Sequence, residues 1–477
     1  MSSRAVAVLV LLVASFMDLL DTTIVNVALP TIEKELSTTA AQLEWIVSGY
    51  ILAFAVLLIT SGRLGDIFGR KRLFLVGVAG FTLASATAAL AWNGDSLVAA
   101  RIIQGAFAAV MSPQVLSIIQ VLFSPKERAA VYGAYGGISG LAAVAGPLLG
   151  GLLISGNAFG WGWRSIFLIN VPIGILLFIG GVIYISESKS ADRPRLDIPG
   201  VALATAGLFL LVYGLIEGRE YGWPGWIWGM IGGSILVFVL FVVYQRRRDA
   251  RDGSALVPPS LFDNRGYSAG IITQFTLAGS VGSFFLVLIL YLQMGLGFSA
   301  IDAALTTLPF SLGALVGSGI SIPLGHRFGK FLILFGALAQ AGGFLWVVTV
   351  VAHKADALTG IDLILPMALA GAGLTLVAVP LTDVALAQMP VTNAGAASGV
   401  FGTVQQVGSA LGVAVIGVVF FGIAGTQFTP GVLRDGFISS MWVPIIALII
   451  SAVATFFLPS VAAVRQHKID AEVVEVS

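Results

Sequence analysis

The sequence predicts an all-α polytopic membrane protein, and three observations carry that prediction. Of the 477 residues, 57% are hydrophobic and 10% charged, with a mean hydropathy of +0.99, a balance foreign to soluble chains of this length. The apolar residues gather into fourteen stretches long enough to cross a hydrocarbon layer as helices, for which about 20 residues suffice. Lys and Arg divide very unequally between alternate connections. No room is left for a separate soluble domain, and a net charge of +1 gives no reason to expect a nucleic-acid partner.

Taken in order, the spans run approximately over 5–29, 44–62, 73–92, 97–121, 130–155, 164–186, 198–217, 223–244, 267–294, 302–324, 331–351, 362–386, 398–424 and 438–460. With the amino terminus inside, 19 of the 25 Lys and Arg fall in cytoplasmic segments, 5 fall outside and Arg101 lies within a span. The bias persists to the last loop, which favours an even number of helices and two cytoplasmic termini. The first run, Ala5 to Leu29, is too long for a signal-peptide core and carries Asp18 and Asp21 with no cleavage pattern, so it is expected to stay as the first helix.

Two polar linkers, Ser186 to Pro199 and Gln245 to Tyr267, bracket the seventh and eighth spans. Six spans precede them and six follow. A faint internal echo joins the halves: PLGHRFGKFL, Pro323 to Leu332, resembles GRLGDIFGRKRL, Gly62 to Leu73, although no acid matches Asp66 and His326 replaces the expected polar or basic position. The expected organisation is therefore a bundle over 1–186, a linker with two extra helices over 187–266, a second bundle over 267–460 and a tail over 461–477.

Cysteine is absent, which excludes disulfides, thiolate zinc sites and thiol nucleophiles. His326, His353 and His467 show no metal-ligand spacing. No nucleophile with its base and no metal-binding pair of acids stands at recognisable spacing, so neither catalytic nor metal residues are assigned. GHRFGKF is one residue short of a phosphate-binding loop and ends in Phe331, which gives no support to ATP hydrolysis.

The stretch Gly62 to Arg72, GRLGDIFGRKR, carries the most information. Gly62, Leu64, Gly65, Asp66, Gly69, Arg70 and Lys71 match in order and spacing the loop between the second and third helices of major facilitator superfamily transporters, which this chain resembles. Further short matches follow: LDTTIVNVALP (Leu20 to Pro30), RIIQGAFAA (Arg101 to Ala109), GLAAVAGPLLGG (Gly140 to Gly151), WRSIFLINVPIG (Trp163 to Gly174) and AASGVFGTVQQVGSALG (Ala396 to Gly412). With the extra pair of spans, they are similar to the fourteen-helix drug:proton antiporter family. The resemblance implies two pseudo-symmetric six-helix bundles in the cell membrane, a proton-coupled exporter of amphiphilic small molecules, drugs or metabolites by alternating access, and no cofactor beyond the coupling proton. Membrane lipids are the other expected partner, and the working unit is expected to be a monomer.

Ionisable groups inside a bilayer are costly and call for a role. Asp18 and Asp21 share one face of the first helix, and Arg101 enters the fourth span in the same outer half, within reach of Asp21 if the two helices are neighbours, as the resemblance implies. Asp21 is expected to bind the proton and Arg101 to govern its charge; a purely structural ion pair is the other reading. Asp18 either shares the proton or satisfies a polar contact across the bundle. Gln104, Gln405 and Gln406 line the substrate cavity or bond between helices. Glu44, at the mouth of the second span, reads as a solvated interface residue. Gly146, Pro147, Gly150 and Gly151 suit a helix that packs closely and bends to seal the path. Asp66, placed at the start of the third helix, is expected to join Arg70 and Glu127 or Arg128 in a cytoplasmic gate built on Gly62, Gly65, Gly69 and Lys71.

A transporter-like sensor or scaffold, a uniporter and a membrane-embedded lipid enzyme are the competing functions. The intact motifs weigh against the sensor, and the missing nucleophile and metal residues weigh against the enzyme.

Overall fold

The computed structural model describes residues 3–123, 125–157, 160–189, 196–253, 255–386, 394–425 and 429–459. Among them there is no strand, and helices follow one another with short connections. We number them α1 (Ser3–Leu36), α2 (Ala40–Phe68), α3 (Arg70–Ala89), α4 (Gly94–Leu122) and α5 (Pro125–Gly156). Then come α6 (Gly162–Tyr184), α7 (Ile198–Glu220), α8 (Gly225–Asp252), α9 (Arg265–Gly295), α10 (Ala300–Phe328), α11 (Lys330–Lys354), α12 (Ile364–Leu386), α13 (Ala394–Ala424) and α14 (Pro430–Phe457).

Thirteen segments among the described residues are long and apolar enough to cross a membrane. The thirty-two-residue α5 stands outside that count, with Ala145–Gly156 as its shorter apolar part. The expected tail over 461–477, with Arg465 and Lys468, lies outside the described residues, as do Arg193 and Arg195.

The helices outrun the apolar windows that reveal them. α1 continues past Pro30 to Leu36, and α2 begins at Ala40 and ends at Phe68. Hydropathy marks only the part of a helix inside hydrocarbon, whereas capping decides its ends. Thr39 and Gln42 close a capping box on α2, and Asn93 and Ser96 close another on α4. Asp197 and Asn264 cap α7 and α9 through their side chains.

The signature stretch differs from its expected form. It is helical almost throughout, and the connection shrinks to Gly69 at φ 113°, a backbone setting that side chains rarely adopt. Asp66 therefore sits in the last turn of α2, not at the start of α3, and it pairs with Arg70 across the break at 2.8 Å. Gly329, at φ 49°, breaks the chain in the same way between α10 and α11.

The chain forms two compact units. The first comprises 1–244, 254–256 and 292–305, the second 245–253, 257–291 and 306–477. α7 and the greater part of α8 thus belong to the first. Within it α4 packs against α2 and α3, and α1 packs against α5 and α6. Its core is apolar, with Leu11, Met17, Phe74, Phe81, Met111 and Ile118 almost fully buried. Within the second unit α11 packs on α12, and α9 packs on α13 and α14. That pattern repeats α3 on α4 and α1 on α5 and α6, eight helices further along.

Glycines set the closest approaches. A Cβ on Gly105 of α4 would run into the carbonyl of Tyr50 on α2, and one on Gly77 of α3 would lie 2.7 Å from the backbone nitrogen of Met111. On α5, Gly146 faces Thr23 and Ile24, Gly150 faces Ile24 and Val27, and Gly151 meets the backbone of Ala300 and Ile301. Pro147 lies inside the same continuous helix.

Candidate functional site: a buried charge cluster in the first unit

Five helices of the first unit bring polar groups to one buried point. Asp21 of α1 is fully buried, and Arg101 of α4 is 1% exposed. Arg101 Nη1 donates to Asp21 Oδ2. The other carboxylate oxygen, Oδ1, accepts from Gln104 Nε2 at 2.8 Å and from Asn170 Nδ2 of α6 at 2.9 Å. Ser85 of α3 receives second bonds from the same two amides, at 2.7 and 3.1 Å.

Arg101 is held on every side. Its Nε donates to the carbonyl of Ile46 at 3.1 Å, and its Nη1 to Gln104 Oε1 at 2.7 Å. The guanidinium carbon lies 4.2 Å from the centre of the Tyr50 ring and 5.7 Å from that of Phe167, distances at which an aromatic face attracts a cation. Tyr50 in turn donates its hydroxyl to Asp18 Oδ1 at 2.6 Å. Asp18, 6% exposed, lies one turn before Asp21 on the same helix face.

Two acids and one base are thus buried together, a set whose formal charge with both acids ionised is −1. A desolvated charge of that kind is unfavourable, and a single proton cancels it. Asp21 is saturated by three donors, whereas the one side-chain donor on Asp18 is Tyr50.

The other residues singled out from the sequence lie elsewhere. Gln104 is fully buried and its amide is committed to Asp21, Ser85 and Arg101. Gln405 is exposed and Gln406 half-buried on α13, in the second unit. At the signature junction, Asp66 and Arg70 meet, but the third acid is Glu187, which follows α6. It accepts from the backbone N–H groups of Lys71 at 3.1 Å and Arg72 at 3.3 Å, and lies 3.6 Å from the Arg72 side chain. The side chains of Glu127 and Arg128 lie outside the described residues. Gly65 makes room for Gln114 of α4, whose Nε2 donates to the carbonyl of Ser61 at 2.8 Å.

Glu44 is not solvated: its exposure is 0%, and Arg219 of α7 donates to it at 3.0 Å. The expectation failed because α7 supplies both cover and counter-charge, and nothing local to Glu44 announces either. Tyr50, Ser85 and Asn170 were also missed. Asn170 carried a signal, a lone amide in an apolar run; Ser85 carried none.

A many-helix membrane fold with a buried acid and arginine is compatible with a transporter, and the comparisons with known proteins identify the class. The family model for the Major Facilitator Superfamily matches residues 11–413. The chain is 43% identical over 430 residues to the probable actinorhodin transporter of Streptomyces coelicolor, spanning 90% of this chain and 74% of that protein. To the cephamycin export protein of Amycolatopsis lactamdurans it is 36% identical over 470 residues, 97% of this chain and 94% of that one. Among solved structures, a bacterial homologue of the human lysosomal transporter Spinster, inward-facing and occupied, superposes with a TM-score of 0.66 at 17% identity. It covers 96% of this chain and 97% of that one.

The chain belongs to the Major Facilitator Superfamily. It is an efflux transporter of the multi-pass cell membrane type, and not an enzyme.

Proposed function

We propose that this transporter is a proton-coupled antiporter that exports amphiphilic small molecules by alternating access, with Asp21 and Arg101 as the coupling pair. The observation that carries the reading is the buried set of Asp18, Asp21 and Arg101, two acids to one base. A proton taken from outside neutralises the set and loosens the hold of Arg101 on Asp21. Asp18 shares that proton through its place beside Tyr50. A substrate that engages Gln104 has to take its amide from Asp21, so that substrate and proton compete for one network. Gln405 and Gln406 are assigned to substrate contact on α13.

At the cytoplasmic end, Asp66, Arg70 and Glu187 form a latch that holds the junction of α2 and α3 closed and opens when that side releases. The close packing of Gly146 and Gly150 against α1 seals the path beside Asp21. The arrangement calls for fourteen crossings, both termini in the cytoplasm, a single chain as the working unit and no cofactor other than the coupling proton.

The test is proton flux in proteoliposomes under an imposed pH gradient, with a panel of cationic, neutral and anionic amphiphiles. Wild type is expected to move protons with one charge class, and Asp21→Asn with none. Coupled export that persists in Asp21→Asn sinks the assignment.

A further inference from the structure

A further acid is buried in the first unit, on a different helix from Asp18 and Asp21 and unused by the mechanism above. Glu44 lies near the start of α2 with 0% exposure, and Ser48, one turn on along the same face, is equally buried. Glu44 Oε1 accepts from Arg219 Nη1. Glu44 Oε2 and Ser48 Oγ have no hydrogen-bond partner in the protein. The contrast with Asp21 is direct, since three side chains donate to that carboxylate. A charged carboxylate oxygen left unbonded in a dry interior is costly, and a proton on it removes the charge.

The surroundings provide for both states. Arg219 also lies 3.7 Å from Glu220, which is partly exposed and held at the same helix end by the N–H of Ala41 at 3.3 Å. Arg219 therefore has a second acid to turn to when Glu44 is neutral. Glu217, the other acid on α7, is taken by Trp45 Nε1 at 2.9 Å. Of the remaining charges facing this stretch, Asp95 accepts from Gln42 at 2.7 Å, and Arg101 reaches the carbonyl of Ile46. At 1.5 Å per residue, Glu44 is about 33 Å along α2 from Asp66, at the opposite end of that helix.

We propose that Glu44 is a further proton-binding carboxylate, beside Ser48 and separate from the Asp18–Asp21 set, and that Arg219 is its counter-charge, passing from Glu44 to Glu220 when the proton arrives. The step is a simple acid–base one: a hydronium ion gives its proton to Glu44 and leaves as water, and the guanidinium keeps its charge throughout. α7 thereby gains a chemical role. The part this site plays in export rests on the antiport reading; its protonation does not.

Infrared difference spectra of the purified full-length protein, titrated with acid and base alone, test the proposal. Wild type is expected to show a protonated-carboxyl band that is lost in Glu44→Gln, kept in Asp21→Asn and restored at a new position in Glu44→Asp. In Arg219→Gln, the pH at which the band is half-formed is expected to shift by about one unit or more. Size-exclusion profiles identify any variant that has merely unfolded, and Glu44→Asp then decides the matter. A Glu44→Gln spectrum identical to wild type overturns the proposal and leaves a structural ion pair. Absence of proton flux in proteoliposomes strikes the antiport reading instead, and the Glu44 band survives that result.

Discussion

Tyr50 holds Arg101 and Asp18 at once: the guanidinium lies 4.2 Å from its ring centre, and its hydroxyl donates to the carboxylate at 2.6 Å. One side chain thus supports both the base and the less fully bonded acid of the buried set. Tyr50→Phe keeps the ring and removes the donor, at a cost of about 1–3 kcal/mol for a buried acceptor left unbonded. The pH profile of substrate uptake into inverted vesicles, measured with the amphiphile that wild type exports, is expected to shift in this variant. Tyr50→Leu, which also removes the aromatic face, is expected to lower the maximal rate as well.

Removal of Arg101 should be the most damaging single change in the set. Arg101→Ala leaves Asp18 and Asp21 buried without their cation, a loss on the order of 3–5 kcal/mol. Thermal unfolding of the detergent-purified protein measures it. Adding Asp21→Asn should recover part of the loss, and a double-mutant cycle reads the coupling between the two side chains.

Two glycines on the α2–α4 contact should respond very differently to alanine. At Gly105 the new methyl meets the backbone carbonyl of Tyr50, which cannot yield without parting the helices. At Gly65 it meets the side-chain amide of Gln114, which can turn away and give up its bond to Ser61. Gly105→Ala is expected to abolish folded protein on fluorescence-detected size exclusion. Gly65→Ala is expected to fold with a loss of about 1 kcal/mol, the worth of that hydrogen bond.

Gly69→Ala combines two penalties. Its φ of 113° is unfavourable for any L side chain, by about 1–2 kcal/mol, and the methyl would crowd the Glu187 carboxylate that receives the Lys71 and Arg72 amides. Protease sensitivity of the α2–α3 junction is expected to rise strongly, while Asp66→Ala, which removes a partly exposed pair worth about 0.3–0.5 kcal/mol, should raise it less and alter transport.

How far such features can be read in advance depends on where their causes lie. Asp21 and Arg101 stand out because ionisable groups in long apolar runs are conspicuous by themselves, and the cluster that joins them is the most legible part of the site. Ser85 is an ordinary small residue of α3, and its role follows only from amides that arrive from α4 and α6. Glu44 looks like a mouth residue until α7, some 175 positions away, covers it. Hydropathy locates the helices but misses their polar ends, so a junction that looks like an eleven-residue hinge proves to be two helices and a glycine.

The hairpin of α7 and the first part of α8 offers little of its surface to the rest of the first unit. Only 11% of the apolar window of α8 is buried, and the turn before it carries Tyr221 while its first turn carries Trp226 and Trp228, all well exposed, residues of the kind that settle at a membrane surface. A span so little covered by protein is the first expected to tilt when the bilayer thins or thickens. α7 grips α2 through Glu217, Arg219 and Glu220, and α2 lends Arg101 the Ile46 carbonyl. On the antiport reading proposed above, a change in lipid chain length is expected to be felt, through the hairpin and α2, at Arg101.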